Sequence, residues 1–195
     1  IRSLQIGATA AVLSTIAATM AALATTRTPP YPGLTFKYAA INQPLMVPEI
    51  VTGVALLIFF SRIKIWSGYT GLGYLIAAHT AFCIPFASLP IRARLESMDL
   101  TLERAAADLY ATPWQAFRRV TLPLLWPNLL VVIILALIRA VQIFDEAFVL
   151  TGGGPGTSTM FITQYIYETG FASSLRNPGV AAAASLLMGG MLVVL

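Results

Sequence analysis

The sequence predicts an all-α, polytopic membrane protein with five spans. Three observations predict it. First, the 195 residues are 57% hydrophobic and only 10% charged, with a mean hydropathy of +0.79. A soluble domain carries about 25% charged residues, so these charges are too few to clothe a soluble surface. Second, five apolar runs approach the roughly 20 residues that a membrane-crossing helix needs. Third, the basic residues collect in alternate loops, the pattern that sets topology in a bilayer.

Run A covers 3–26 and is rich in Ala and Thr; run B covers about 41–60, run C 71–91, run D 124–144 and run E 179–195. Small residues are dense in A and E, which suits close helix packing in lipid. Pro44 and Pro48 fall in run B, and Pro85 and Pro90 in run C. Proline removes a backbone donor and bends a helix, so B and C are predicted to be kinked. Arg27, Lys37, Arg92, Arg94, Arg104, Arg118 and Arg119 lie in the A–B and C–D loops, against Arg62, Lys64 and Arg176 in the other two. The positive-inside rule puts the first set in the cytoplasm, with Ile1 outside and Leu195 inside. The chain starts without Met and without a signal-peptide pattern. One further span before Ile1 is therefore expected, making six in full, with both ends cytoplasmic. The whole reads as a single domain, 1–195, truncated at its N-terminus.

The net charge of +4 is scattered between apolar runs, so membrane lipid is an expected partner and nucleic acid is not. A lone cysteine, Cys83, excludes a disulfide framework and a cysteine-based zinc site. With one histidine and dispersed acids, no catalytic set or metal site is expected.

The most polar stretch, "LERAAADLYATPWQAFRRVTLP", lies between runs C and D. Asp99 or Thr101 can cap a short helix that continues through Leu109. Tyr110 and Ala111 form a break. "TPWQ" then starts a second helix: Thr112 as cap, Pro113 at the first position, and Gln115 closing a capping box. This helix is expected to stop near Val120, with Pro123 and Pro127 marking entry to run D. Periodicity leaves open whether the unit lies on lipid through Trp114, Phe117, Arg118 and Arg119, or docks into a partner protein.

At this point the sequence resembles a family. The stretch is similar to the EAA loop of type I ABC importer permeases, the kind found in maltose and polyamine systems. That loop reads Glu-Ala-Ala, three residues, Gly, nine residues, Ile, one residue, Leu-Pro; here the matching positions are Arg104-Ala105-Ala106, Tyr110, Val120 and Leu122-Pro123. "PLMVPEIVTGVALL" and "AAHTAFCIPFASLPIRARLESMD" look like the third and fourth spans of such permeases. "RAVQIFDEAFVLTGGGPGTSTMFITQYIYETGF" looks like the external region before their last span.

The resemblance implies a type I ABC importer transmembrane domain whose loop 97–123 couples to a separate ATPase subunit. It implies that Glu103, Arg104, Ala105, Ala106, Asp108, Tyr110, Ala111, Leu122 and Pro123 form the coupling site. Arg104 replaces the family Glu and Tyr110 the family Gly. Glu103 could substitute for the missing acid, although one residue turns a side chain by about 100°. A left-handed corner at Tyr110 would cost about 1 kcal/mol or more.

The resemblance further implies ATP-binding cassette subunits, a second permease subunit and an extracytoplasmic solute-binding protein as partners. ATP and magnesium would be held on the ATPase chain, with no cofactor on this one, which is then not an enzyme. The setting would be a prokaryotic inner membrane. The cargo reads as a sugar or sugar derivative, with a polyamine or other small solute as the alternative. A secondary transporter without an ATPase is the other class, and it would have no need of the two-helix loop.

Acidic or basic side chains within a bilayer are costly and often functional. Glu49, His79 and Arg139 are therefore candidates for the substrate path, with structural bonds as the competing reading. Arg139 must face a cavity, a partner or an acid such as Asp145 or Glu146 about two turns on. "LTGGGPGTST" lacks the Gly-Lys-Ser/Thr ending of a phosphate loop. Gly152, Gly153, Gly154 and Pro155 are read instead as a flexible turn touching the binding protein.

Overall fold

Helices α1 (Arg2–Thr26), α4 (Gly73–Ser97) and α7 (Leu122–Val141) pack together along their length and form the core of the molecule. The structure is a computed structural model and describes residues 2–29, 31–69 and 72–194. The remaining helices are α2 (Leu34–Met46), α3 (Glu49–Ser67), α5 (Leu100–Asp108), α6 (Pro113–Ala116), α8 (Asp145–Thr151), α9 (Ile162–Tyr167) and α10 (Pro178–Val194). No strand occurs among the described residues.

Small side chains in α1 let its neighbours come close. Ala10, Ala11, Ser14 and Ala18 are buried. A Cβ on Gly7 would stand 3.3 Å from that of Ala140 in α7, so the two helices nearly touch there. The α1 hydroxyls are satisfied inside the helix: Thr15 donates to the Ala11 carbonyl and Thr19 to that of Thr15, both at 2.7 Å. Back-bonding of this kind lets polar residues sit in an apolar span. One apolar cluster joins Ala18, Ala22, Ala87, Ile91, Leu95, Leu125, Leu129 and Val132 at the end of the bundle that carries Arg27 and the α5 segment, here called the basic end. A second joins Ile6, Leu75, Ile143, Ala147 and Phe161 at the opposite end.

Among the described residues, four helices are long and apolar enough to cross a membrane: Leu4–Thr26, Glu49–Ser67, Gly73–Ser97 and Pro113–Val141. Run E forms the 17-residue α10, about 26 Å long at 1.5 Å per residue. Runs A and C form the expected helices, and α4 continues through Pro85 and Pro90.

Two expectations need correction. Run B is not one span. It breaks at Val47–Pro48, where Val47 is extended (φ −106°, ψ 137°) and α3 starts at Glu49. A residue before proline is pushed out of the helical region, and Pro48 has no N–H to continue the ladder. Conversely, the second helix of the polar segment does not stop before run D. It runs through a π turn, Phe117–Thr121, straight into α7. The Leu122 amide bonds back to the Phe117 carbonyl, and Pro123, which has no N–H to donate, follows directly after this wider turn.

Candidate functional site

The polar segment stands at the basic end as a two-helix handle. Asp99 caps α5, its carboxylate accepting from the Thr101 amide at 2.9 Å. That bond, backed by the Thr101 hydroxyl, holds the Asp99 carboxyl below its usual range. The helix ends in a Schellman closure: the Tyr110 amide donates to the Ala107 carbonyl (2.9 Å) and the Ala111 amide to that of Ala106 (3.0 Å). Tyr110 takes φ = 60°, a left-handed corner normally given to glycine. The capping box expected from "TPWQ" is present. The Thr112 amide donates to Gln115 Oε1 (2.8 Å), and the Gln115 amide to Thr112 Oγ1 (3.3 Å).

The handle has two faces. Arg104, Ala105, Asp108 and Tyr110 lie exposed on the outer one, with Leu109 81% and Tyr110 95% open. Exposed apolar groups of that size on a polar segment suit a protein contact. Glu103 points the other way, into the body, where it pairs with Arg27 at 3.0 Å. Ala106 and Ala111 are half-buried. Leu122 and Pro123 belong to the root of α7 rather than to the handle.

Behind the handle, a groove of about 910 Å³ runs between α1 and α7, lined by Ile16, Met20, Trp114, Phe117, Trp126 and Leu129 among others. Arg27 and Thr121, which meet at Glu103, were not singled out by the sequence. Arg27 reads there only as a topology charge, and nothing in its spacing connects it to residue 103.

Further along the bundle, Arg139 of α7 pairs with Glu49 at the start of α3 and lies over the rings of Phe82 and Phe86, 5.6 and 5.0 Å from their centroids. The sequence offered Asp145 or Glu146 as acids for it to face, beside a cavity or a partner. The break at Pro48 instead puts Glu49 at a helix start, opposite α7; the side chain of Glu146 lies outside the described residues. His79 is enclosed, 1% exposed. Its Nε2 donates to the Ala140 carbonyl at 3.1 Å, and its ring lies 5.9 Å from that of Phe161. Ala140 is in the last turn of α7, whose carbonyls have no intrahelical donor. The structure therefore brings Glu49 and Arg139 together and leaves His79 apart, fastening α4 to α7.

The glycine-rich turn follows α8. Gly152, Gly153 and Gly156 have φ of 56°, 84° and 63°. Gly153 is closely approached as well: a Cβ there would meet the Gln164 side chain at 2.9 Å. The Thr159 hydroxyl lies 2.8 Å from both Thr151 Oγ1 and the Gly154 carbonyl. The Thr159 amide donates to the Gly153 carbonyl at 3.1 Å. The turn is thus closed on itself by hydrogen bonds, with Gly153 buried and Gly152 and Pro155 exposed.

Comparison with known proteins identifies the architecture. Residues 38–195 match the family described as the inner membrane component of binding-protein-dependent transport systems. The chain belongs to that family. It is an ABC importer permease subunit, as the EAA-like spacing implied. It is 31% identical over 198 residues to the putrescine transport system permease protein of Escherichia coli K12, spanning 98% of this chain and 67% of that one. It is 38% identical over 103 residues to the trehalose/maltose transport system permease protein of Thermococcus litoralis, spanning 53% and 34% of the two chains. The chain therefore spans about two thirds of the first relative and about a third of the second. A chain in the crystal structure of a bacterial alginate ABC transporter, in complex with an alginate pentasaccharide-bound periplasmic protein, superposes with TM-score 0.79 at 19% identity. It covers 98% of this chain and 72% of that one, and shows the same fold.

Proposed function

We propose that this chain forms half of a solute path through a prokaryotic inner membrane and is driven by a separate ATP-binding subunit docked on the α5–α6 handle. The observation that carries the reading is the two-faced handle. Its inner face is anchored by Glu103, while Arg104, Ala105, Asp108, Leu109 and Tyr110 stay open for a partner. ATP and magnesium belong to that partner, and this chain performs no catalysis itself. A second permease subunit completes the path, and a solute-binding protein delivers cargo at the opposite end, against Gly152 and Pro155. The basic end faces the cytoplasm, and so does the C-terminus.

Glu49 and Arg139 are the path residues of this reading, half-buried and ringed by Phe82 and Phe86. His79 serves packing. A paired acid and base with aromatic faces suits a neutral, hydroxyl-rich solute, and we assign a sugar or sugar derivative. The second reading is a polyamine, favoured by identity to the putrescine permease along nearly the whole chain. Co-purification of the full-length protein tests the main reading: failure to recruit any ATP-binding subunit refutes it. Uptake of labelled maltose against labelled putrescine by the assembled complex separates the two cargo classes. Orientation is checked with Leu109→Cys, which should react with an impermeant maleimide in inverted vesicles and stay unlabelled in right-side-out ones.

A further inference from the structure

The α5 helix buries no side chain of its own, yet it is tied to three other helices through one carboxylate. Arg27 follows the last turn of α1. Its Nε donates to both Glu103 oxygens, at 3.2 and 3.0 Å, and its Nη2 donates to Oε1 at 3.0 Å. Its Nη1 donates to the Leu95 carbonyl at 3.0 Å. Leu95 lies in the last turn of α4, where carbonyls lack intrahelical donors. A cation there also faces the favourable end of the helix dipole. The Thr121 hydroxyl, at the root of α7, donates to Glu103 Oε1 at 3.0 Å. The Arg27 and Glu103 side chains are only 19% and 23% exposed. Such a pair is geometrically fixed in a way that an open surface pair is not.

We propose that Arg27, Glu103 and Thr121 are positioning residues that make α5 move as one body with the basic ends of α1, α4 and α7. A partner pulling on the outer face of α5 then shifts the spans instead of tilting a loose loop. Glu103 acts inward, and contact with the ATPase falls to Arg104, Asp108 and Tyr110. This inference rests on the importer reading.

The test is a distance measurement in the full complex, with spin labels at Thr101→Cys in α5 and Leu130→Cys in α7. Cys83 is 1% exposed and stays unlabelled. Distances are recorded without nucleotide and with magnesium-ATP plus vanadate. The unmodified pair should give one narrow distribution in both states. Glu103→Gln and Arg27→Gln should each shift or broaden it by roughly 5 Å, one helical turn, only when nucleotide is bound. The double variant should be no worse than either single, because the two residues act as a unit.

Where the glutamine variants fail to fold, Arg27→Lys keeps the charge, loses the fork and should give an intermediate shift. A variant distance that equals the unmodified one in both states overturns the inference. So does one that changes equally with and without nucleotide, which marks a merely structural bond. A chain that recruits no ATP-binding subunit removes the importer reading and this inference with it. A complex that assembles, but in which α5 moves against α7 before any substitution, removes this inference alone.

Discussion

Tyr110→Gly isolates the energetic cost of the corner between α5 and α6. Tyr110 is held at φ = 60°, a conformation that costs an L-residue about 1–2 kcal/mol. Its ring is 95% exposed, so deleting it removes almost no packing. The two closing bonds, from the amides of residues 110 and 111, involve only backbone and survive the change. Against the relief stands the greater freedom of an unfolded glycine, about 0.4–1 kcal/mol. The difference between the midpoints is a net gain of about 0.8 kcal/mol, or about fourfold in a local opening equilibrium at 1.4 kcal/mol per factor of ten. Hydrogen exchange read by mass spectrometry on a peptide containing 106–112 should slow by about that factor. Tyr110→Ala keeps the left-handed cost and should show no slowing. Equal protection in the Gly and Ala variants, or faster exchange in the Gly variant, would show that the left-handed corner at residue 110 carries no such cost.

Four further outcomes follow from the contacts described. His79→Leu leaves the buried Ala140 carbonyl without its donor and should cost about 1–3 kcal/mol, read as a fall in thermal unfolding temperature in detergent, with His79→Asn recovering part of it. Glu49→Gln and Arg139→Gln each strand a charge within the bundle, so the double variant should retain more folded protein in size-exclusion assays than either single. Gly153→Ala meets both a left-handed φ and the Gln164 side chain; it should destabilise by about 1–3 kcal/mol and open the turn to limited proteolysis, whereas Gly152→Ala, with no atom closer than 4.0 Å, should do so less. The Asp99 carboxyl is held below its usual range, so its support for α5 is full above the unfolded-state value and is lost as pH falls through the lower folded one; the Thr101 amide resonance should report that loss, and Asp99→Asn should abolish the pH response.

The features readable in advance depend on neighbours in the chain. The helices of runs A and C, the Thr112–Gln115 box and the break at Tyr110 each follow from residues within a few positions of one another, whereas the left-handed form of that break came from the glycine in the family loop. What escaped reading depends on how separate helices line up. Arg27 and Glu103 are 76 positions apart, and their meeting requires α1 and α4 to end, and α5 to begin, at one level. Glu49 meets Arg139 only because the chain breaks at Pro48, a break that hydropathy hides because both sides of it are apolar. The glycine-rich turn misled differently: glycines suggested looseness, while the hydroxyls of Thr151 and Thr159, which close it, carry no pattern of their own.

The π turn at Phe117–Thr121 acts as a phase shifter. In an uninterrupted helix of 3.6 residues per turn, positions twelve apart are rotated by about 120°, so Trp114 and Trp126 would look in different directions. One wider turn absorbs about one extra residue and brings that angle down to about 20°. Trp114 and Trp126 then line one wall of the same groove, as do Phe117 and Leu129. Two short stretches whose apolar stripes are out of step in the primary structure thereby present one continuous face, and the handle shares its azimuth with the span that it continues.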